Sequence, residues 1–341
     1  MTPANPTILV IGATGAMGRS VVQNLVDEQS HPWQIKALTR NVNSDRSQAL
    51  QALSDRIELV QGDVNDQESL KKAIQGVHGV FCNTDYWSAG SKAAEISQSK
   101  MMIEICKSEK VSHFIYSSLE NCLKISDGKV PVPYFDSKAA VEEYIDEQRQ
   151  QGDEWFLKNT TVLVTAPYLE NFEGYFLPKN RIEPDGSTTL VFSVPMDDKP
   201  LTMVALDDIG WFAAYIFANP QKTLGKTLKI ASDSLTMQEF VKIFTKITGL
   251  TAEYEPITLQ QFREASRQGV QDIANSPDGD FVGNMFQFCQ EYGIHRDFQE
   301  LRHIHPHLLS FETWLKKTGW HGEKQEVQKY LQDYSQTQAS K

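Results

Sequence analysis

The chain of 341 residues is 40% hydrophobic and 23% charged, so it can bury a large core and is long enough for two lobes. Its 33 Lys and Arg residues are outnumbered by 44 Asp and Glu residues, for a net charge of −11, and without a basic cluster we expect no direct nucleic-acid binding. No apolar run approaches the roughly 18 residues of a membrane span, and the first residues lack the pattern of a signal peptide, so we expect a cytoplasmic protein without membrane contact.

Short apolar runs alternate with amphipathic segments along the first half of the chain. The apolar runs predict buried strands at 7–12, 34–39, 57–63, 79–83, 113–118 and 160–166. Helical periodicity separates them, at 18–28, 45–53, 67–75, 91–108 and 136–150. Strands and helices that alternate this regularly predict an α/β fold, in which helices cover both faces of a parallel sheet.

The pattern changes after Ala166. Residues 180–192 hold a Pro-Asp-Gly turn between two extended stretches, which predicts a hairpin. An amphipathic helix is predicted over 206–220 and one more strand over 226–232, and helices dominate from Thr236 onward. The polar end of the chain is predicted to be disordered.

The stretch VIGATGAMGRSVV follows the first predicted strand and opens the first predicted helix. Gly12 would permit a tight turn, Gly15 would let the backbone approach a pyrophosphate, and Gly18 would let helix and strand pack closely. The start of the helix offers free N–H groups to phosphates. The pattern therefore predicts a dinucleotide-binding loop, with a glycine-rich turn that binds nothing as the alternative.

The ends of the second and third predicted strands bear on the choice of dinucleotide. Arg40 stands where an NAD site usually has an acid, and a guanidinium suits a 2′-phosphate, so NADP is favoured over NAD. The alternative for Arg40 is a solvated charge at a strand end. Asp63 would accept a hydrogen bond from the adenine, or cap the following helix, or both.

Tyr134 and Lys138 lie four residues apart at the start of a predicted helix. One helical turn places both side chains on one face, where an ammonium could lower the pKa of a phenol. The pair is therefore a candidate for proton transfer. An aromatic ring that packs at a helix entry is an equally good interpretation of Tyr134.

No metal site is predicted. His303, His305 and His307 alternate along the chain, but Pro306 interrupts them, so a loop is the better interpretation. The four cysteines are widely spaced and are expected to be reduced thiols, mostly buried: Cys82, Cys106, Cys122 and Cys289.

Taken together and in this order, several motifs resemble the NmrA-like (HSCARG-type) branch of the short-chain dehydrogenase/reductase superfamily. They are VIGATGAMG, LTRN, QGDVND, GVFCNTDYW, FIYSSLEN, PYFDSKAAVEEYI and APYLENF, and the resemblance covers residues from about 7 to about 320. It implies a Rossmann-type doubly wound parallel sheet of seven strands, a smaller, mainly helical C-terminal lobe, and NADP(H) as the cofactor.

The resemblance also implies domain bounds and binding residues. Residues 1–166 would form the NAD(P)-binding domain with 203–233 returning to it, 167–202 and 234–325 the lobe that meets a substrate or partner, and 326–341 a polar tail. The implied cofactor-binding residues are Gly12, Ala13, Thr14, Gly15, Ala16, Met17 and Gly18 at the phosphates, Arg40 and Asn41 at the 2′-phosphate, Asp63 and Val64 at the adenine, Asn83, Thr84 and Asp85 at the ribose, and Lys138, Tyr168, Leu169, Glu170 and Asn171 at the nicotinamide end.

The superfamily mechanism implies roles for the pair on the helix. Tyr134 would protonate a carbonyl oxygen, and Lys138 would anchor the ribose and lower the tyrosine pKa from about 10 toward neutrality. A serine hydroxyl completes such sites, and the register places either Ser118 or Leu119 at that position.

Three functions stay open at this point. The chain would be an NADPH-dependent reductase of a small carbonyl or quinone-like substrate, or a non-catalytic NADP(H) redox sensor that regulates a protein partner. An epimerase or lyase ranks below both. The intact Tyr-x-x-x-Lys favours the reductase, because non-catalytic members of the family commonly replace the tyrosine. The sequence predicts neither the substrate nor the oligomeric state.

Overall fold

The computed structural model describes residues 6–269 and 281–325, so the predicted polar tail lies outside the described residues. The chain divides into two compact units. The first comprises the residues up to Glu120, Tyr134–Thr165 and Ile209–Lys229. The second comprises Asn121–Pro133, Ala166–Asp208 and the residues from Ile230 onward.

The strands of the described residues confirm the six that alternation predicted in the first half. They are β1 (Thr7–Ile11), β2 (Gln34–Thr39), β3 (Ile57–Gln61), β4 (Gly79–Cys82), β5 (His113–Ser118), β6 (Thr160–Val164), β7 (Lys179–Ile182), β8 (Thr188–Phe192), β9 (Leu201–Met203), β10 (Thr227–Lys229), β11 (Asp233–Leu235) and β12 (Ala252–Tyr254). The strand expected over 226–232 is thus shorter than predicted.

The predicted helices are also present, and short ones that no periodicity had revealed join them. They are α1 (Ala16–Asp27), α2 (Asp45–Gln51), α3 (Gln67–Ile74), α4 (Tyr86–Ala89), α5 (Lys92–Ser108), α6 (Cys122–Ile125), α7 (Pro133–Gln150), α8 (Glu154–Asn159), α9 (Leu206–Ala218), α10 (Pro220–Thr223), α11 (Met237–Thr248), α12 (Leu259–Gly269), α13 (Phe281–Glu291), α14 (Phe298–Ile304) and α15 (Phe311–Thr318), with a 3₁₀ helix at Leu169–Glu173. Of the described helices, none is both long and apolar enough to cross a membrane.

The first unit contains a seven-stranded parallel sheet in the order β10-β6-β5-β4-β1-β2-β3. Strand order reverses direction between β1 and β4, so the crossovers on either side of this point run to opposite edges of the sheet. Such a switch point leaves a crevice outside the carboxyl ends of the strands, where ligands of this fold bind. The predicted Rossmann-type doubly wound sheet is confirmed.

The core of the first unit explains why its strands read as continuous apolar runs. Leu9, Val80, Phe114 and Val162, from four neighbouring strands, are fully buried against the helices on one face of the sheet. In a parallel sheet covered on both faces the central strands bury nearly every position, so β1, β4, β5 and β6 show no alternation of apolar and polar residues. All four cysteines are buried free thiols, as expected.

The second unit is the smaller, mainly helical lobe, with two short sheets of its own. The predicted hairpin is present, because β7 and β8 pair antiparallel across the turn at Gly186, whose φ is +84°. β12 adds to β8 in parallel, and β9 pairs with β11. The interior of this unit is built from large aromatic side chains, which are Phe172, Phe192, Phe240, Phe244, Phe311, Trp314 and Trp320.

Candidate functional site

The glycine loop joins β1 to α1 at the carboxyl edge of the sheet. Gly12 has a φ of +79°, and a Cβ added to it would lie 3.0 Å from the backbone oxygen of Asn83 at the end of β4. A Cβ on Gly18 would lie 2.1 Å from the Gly12 oxygen. The physical reasons predicted for these two glycines, a tight turn and close packing of helix on strand, are therefore met.

The start of α1 is open to an anion. Gly15 is the N-cap residue and contributes no side-chain hydrogen bond, and its own N–H donates to the Gly12 oxygen at 3.0 Å. Its φ of −80° is an ordinary extended value, so the residue is not a glycine for reasons of backbone strain. The first-turn N–H groups of α1 lack a side-chain cap, which is the arrangement that binds phosphate in dinucleotide loops.

The remaining residues of the loop are held over β5. Ala13 and Met17 are buried, while Thr14 and Ala16 are half-buried. The Ser117 hydroxyl on β5 donates to the Met17 sulfur at 3.3 Å. This contact ties the loop to β5.

The loop after β2 presents the side chain that distinguishes NADP from NAD. Arg40 is exposed, and its guanidinium makes no hydrogen bond or ion pair within the described part of the chain. The backbone beyond it is rigid, because Asn41 accepts from the Asn43 N–H at 2.9 Å and from the Ser47 hydroxyl at 2.8 Å. A fixed loop with a free guanidinium suits recognition of a 2′-phosphate.

Asp63 follows β3, and one of its two predicted roles is wrong. The N-cap of α3 is Asp66, which accepts from the N–H groups of Glu68 and Ser69. The Asp63 carboxylate instead accepts from the N–H of Asn65 at 2.9 Å and from its side-chain amide at 3.1 Å. The helix α3 begins after Asp66, three residues beyond Asp63, so Asp66 is its cap. A hydrogen bond from Asp63 to adenine stays a prediction, and Val64 packs beside the core of the first unit.

Two of the predicted residues after β4, Thr84 and Asp85, make hydrogen bonds within the chain. Asp85 caps α4 by accepting from the Trp87 N–H at 3.1 Å and the Ser88 hydroxyl at 2.6 Å. Thr84 is buried, and its hydroxyl donates to Glu95 of α5 at 2.7 Å. Asn83 is half-buried beside Gly12.

Lys138 lies in a buried polar cluster that the sequence had not predicted. Its ammonium donates to the Thr84 backbone oxygen at 2.7 Å, to the Thr84 hydroxyl at 2.9 Å and to the Glu95 carboxylate. The second carboxylate oxygen of Glu95 accepts from the Ser137 hydroxyl. Glu95 is 0% exposed and Lys138 8%, so this ion pair is shielded from water.

Tyr134 opens α7 within a group of aromatic rings. Its ring centroid lies 5.8 Å from that of Trp87, 6.3 Å from that of Tyr86 and 4.9 Å from that of Phe135. The ring is half-buried, unlike that of Tyr86, which is buried. Both interpretations of Tyr134 are compatible with this position, because a packed ring can still present its hydroxyl to a ligand.

Ser118 ends β5 and faces α7. Its hydroxyl donates to the Glu142 carboxylate at 2.7 Å. Burial raises the pKa of Glu142, and the hydrogen bond from Ser118 opposes that effect. Tyr134, Lys138 and Glu142 follow one another at four-residue spacing, so they share one face of α7.

Tyr168, Leu169, Glu170 and Asn171 belong to the second unit, unlike the other predicted site residues, which belong to the first. The Glu170 carboxylate is buried, where it accepts from the Leu206 N–H at 3.1 Å and the Trp314 indole N–H at 3.0 Å. Burial raises its pKa to about 8. The side chain of Glu170 therefore makes these hydrogen bonds within its own unit, and a contact with the nicotinamide stays a prediction.

The loop expected around His303, His305 and His307 is present only in part, because His303 lies in α14. His305 is buried, with its Nε2 3.2 Å from Asp208, while His303 and His307 are exposed. Within residues 6–269 and 281–325, no group of three or more His, Cys, Asp or Glu side chains is arranged to hold a metal ion.

Glu95 and Glu142 are the site residues that sequence reasoning missed. A signal for Glu95 was present, since Glu95, Ser99 and Met102 follow helical spacing and the latter two are buried. A carboxylate on the buried face of a helix requires a partner of opposite charge. Glu142 gave no comparable signal, because α7 carries several acids.

The sheet, its switch point and the glycine loop define a Rossmann-type α/β protein. The model of the NmrA-like family matches residues 4–315, so the chain belongs to the NmrA-like family.

Two curated relatives cover most of the chain. An NmrA-like family domain-containing protein of Dictyostelium discoideum is 28% identical over 92% of this chain and 98% of its own length. The NmrA-like family domain-containing oxidoreductase FrzB of a Cladobotryum species is 29% identical over 84% of each chain.

Solved structures share the fold at lower sequence identity. NmrA, described as a negative transcriptional regulator and solved with NAD, is 19% identical with a TM-score of 0.67, and the match covers 98% of each chain. Citrobacter sp. triphenylmethane reductase, solved with NADP(H), is 19% identical with a TM-score of 0.69 over 91% of this chain and 99% of its own. The NADPH-dependent quinone oxidoreductase QOR2 of Escherichia coli, solved with NADPH, is 20% identical with a TM-score of 0.67 over 92% and 100%.

Proposed function

We propose that this protein is an NADP(H)-binding reductase that acts on a small carbonyl or quinone-like substrate. The observation that carries the proposal is the start of α1, where the loop from Gly12 to Gly18 brings open N–H groups to the carboxyl edge of the sheet. A relative named as an oxidoreductase and two reductases of the same fold solved with NADP(H) or NADPH support a redox role.

Backbone N–H groups and one charged side chain of this protein would bind the phosphates of the cofactor. The pyrophosphate would accept hydrogen bonds from the first turn of α1, and Gly15 would leave room for it. Arg40 would pair with the 2′-phosphate, since its guanidinium is exposed and has no partner within the described residues. Asp63 would hold the adenine edge.

The chemistry at the other end of the site would be a hydride transfer, which bound NADPH supplies. Tyr134 would donate its phenolic proton to the substrate oxygen as negative charge develops there. The buried rings of Tyr86 and Phe135 would orient the phenol, and the half-buried ring of Trp87 would offer an apolar wall to a flat substrate. Lys138 would place a positive charge one helical turn away.

A non-catalytic redox sensor is the second candidate, and specific observations favour it. All three N–H groups of the Lys138 ammonium have acceptors on Thr84 and Glu95, and the Ser118 hydroxyl donates to Glu142. Two of the three groups in the expected proton-transfer site are therefore engaged elsewhere. Such a protein would bind NADP(H) and present a different surface to a partner in each redox state.

A substrate screen separates the two candidates. The protein, once shown to bind NADPH, would be mixed with a broad set of carbonyl and quinone compounds while NADPH oxidation is followed by absorbance. Substrate-dependent oxidation supports the reductase. Saturating NADPH binding with no oxidation in the presence of any compound contradicts it and supports the sensor.

A further inference from the structure

The contacts of Lys138 point to a role for Glu95, a residue that lies on a different helix. We propose that Glu95 is a positioning residue, whose buried carboxylate holds the Lys138 ammonium charged and fixed against Thr84 at the end of β4. The inference rests on the proposed function in one respect, namely that NADP(H) binds at this edge of the sheet.

The hydrogen bonds of the cluster are complete on both sides. An ammonium has three N–H donors, and Lys138 directs them to the Thr84 backbone oxygen, the Thr84 hydroxyl and Glu95. The Thr84 hydroxyl donates a hydrogen bond to the same carboxylate oxygen of Glu95, and the Ser137 hydroxyl donates one to the other oxygen. The long side chain of Lys138 is thus held in one position, although lysine chains are flexible.

Burial makes the two charges depend on each other. Glu95 is fully buried and Lys138 nearly so, and an isolated charge in such a place is far less stable than a pair. The Glu95 carboxylate is therefore the group that allows the Lys138 ammonium to be buried at the end of β4.

Among the described residues, Cys82 and Tyr116 are titratable groups that interact with the pair, and Tyr134 lies on the same face of α7 as Lys138. Burial raises the pKa of Cys82 to about 12 and that of Tyr116 well above its ordinary value, so both stay protonated near neutrality. Tyr134 lies one turn before Lys138 on α7 and belongs to the proposed machinery. Every variant therefore also carries Tyr134→Phe, so that Tyr134 does not contribute to the pH dependence of NADPH binding.

The test measures the NADPH dissociation constant from pH 7 to pH 9, above the range in which phosphates titrate. In the Tyr134→Phe protein the constant should change by less than about threefold, because the buried ammonium keeps its counter-ion. In Glu95→Gln the buried ammonium has no counter-ion, and burial favours the neutral amine. NADPH should then bind about tenfold more weakly at pH 9 than at pH 7.

Two further variants separate charge from structure. In Glu95→Gln/Lys138→Met nothing titrates at this point, so the constant should again be independent of pH. Glu104→Gln is the matched control, since Glu104 also lies on α5 and accepts from a residue of α7, Tyr144, at 2.7 Å, but on an exposed surface. Its NADPH dissociation constant should be as independent of pH as that of the Tyr134→Phe protein. A pH-independent Glu95→Gln protein overturns the proposal.

Glu95→Asp provides a second arm if Glu95→Gln does not fold. Aspartate keeps the charge but is one methylene shorter, so the constant should stay independent of pH and rise by about threefold or more. An unchanged constant in Glu95→Asp overturns the proposal. If the parent does not bind NADPH at any pH, the proposed function itself fails. If the parent binds NADPH and the affinity of Glu95→Gln is as independent of pH as that of the parent, only the role of Glu95 fails.

Discussion

At the scale of single residues, Arg40 carries the expected preference for NADP(H). Arg40→Gln keeps a polar side chain but removes the charge that would pair with the 2′-phosphate. NADPH affinity should fall about tenfold, equivalent to about 1.4 kcal/mol, while NADH affinity stays unchanged. Calorimetric titration of both cofactors measures this. If the variant retains the parent's ratio of NADPH affinity to NADH affinity, Arg40 is a solvated surface charge and does not recognise the 2′-phosphate.

Tyr134 is the residue on which turnover would depend. Tyr134→Phe keeps the ring and its contacts with Trp87 and Phe135 but removes the proton, so NADPH affinity should persist. Turnover of any substrate found in the screen should drop by about 10² or more. Steady-state kinetics and cofactor titration on the same preparation measure both quantities. If most of the parent rate remains, Tyr134 is not the proton donor.

Residue identities were predicted best where backbone geometry requires them. Gly12 and Gly18 could be assigned from the sequence because only glycine fits a positive φ or a 2.1 Å approach. Lys138 could be singled out but its partners could not, because Glu95 lies 43 positions earlier and meets it only through tertiary packing. The helix cap offered as the alternative role of Asp63 is wrong for a simpler reason, since Asp66 three residues later is an equally suitable cap and the helix begins after it.

At the scale of elements, the loop between β1 and α1 is the expected phosphate site. Gly15→Val adds a branched side chain where the pyrophosphate would approach, and the φ of −80° accommodates valine without strain. NADPH binding should fall by about tenfold or more while the thermal midpoint changes little. Fluorescence titration and a melting curve are the measurements. Parent-like affinity in this variant would place the cofactor elsewhere.

The prediction of elements succeeded in proportion to their length and burial. The strands of the parallel sheet are continuous apolar runs bounded by polar residues, so each could be found from the sequence. α4 and α6 have only four residues each, too few to show a helical period. β9 and β11 have three residues each, and their pairing depends on tertiary contacts.

At the scale of the whole molecule, pH should change stability through the second unit. Burial raises the pKa of Glu170 to about 8, against an ordinary value of 4.5. Between these values the unfolded chain releases its proton while the folded chain keeps it, so stability should fall as pH rises, by up to about 1.4 kcal/mol per pH unit. Glu170→Gln removes this titration and should make the dependence shallower.

Denaturant unfolding followed by tryptophan fluorescence at several pH values between 5 and 8 measures that dependence. A residual slope of the same sign is expected in the variant, because burial also raises the pKa of Glu173 to about 7. Equal slopes in the parent and in Glu170→Gln would show that Glu170 is ionised in the folded protein.

The architecture of the first unit was more predictable than that of the second. Regular alternation of strand and helix leaves few topologies for a parallel sheet, and the resemblance to the NmrA-like family selected the Rossmann-type one among them. The second unit is held by aromatic packing among distant segments, such as Phe240 on Phe311, whose ring centroids lie 3.9 Å apart. No local period of apolar residues in the sequence predicts such contacts. The substrate could not be predicted from the sequence for the same reason.

Calorimetric titration of the unmodified protein with NADPH and with NADH tests the central claim most directly. The account predicts saturable binding of both, with NADPH at least about tenfold tighter, because one of the two carries the phosphate that Arg40 would pair with. Equal affinities would contradict the assignment of Arg40. An absence of binding by either cofactor would contradict the proposed function as a whole.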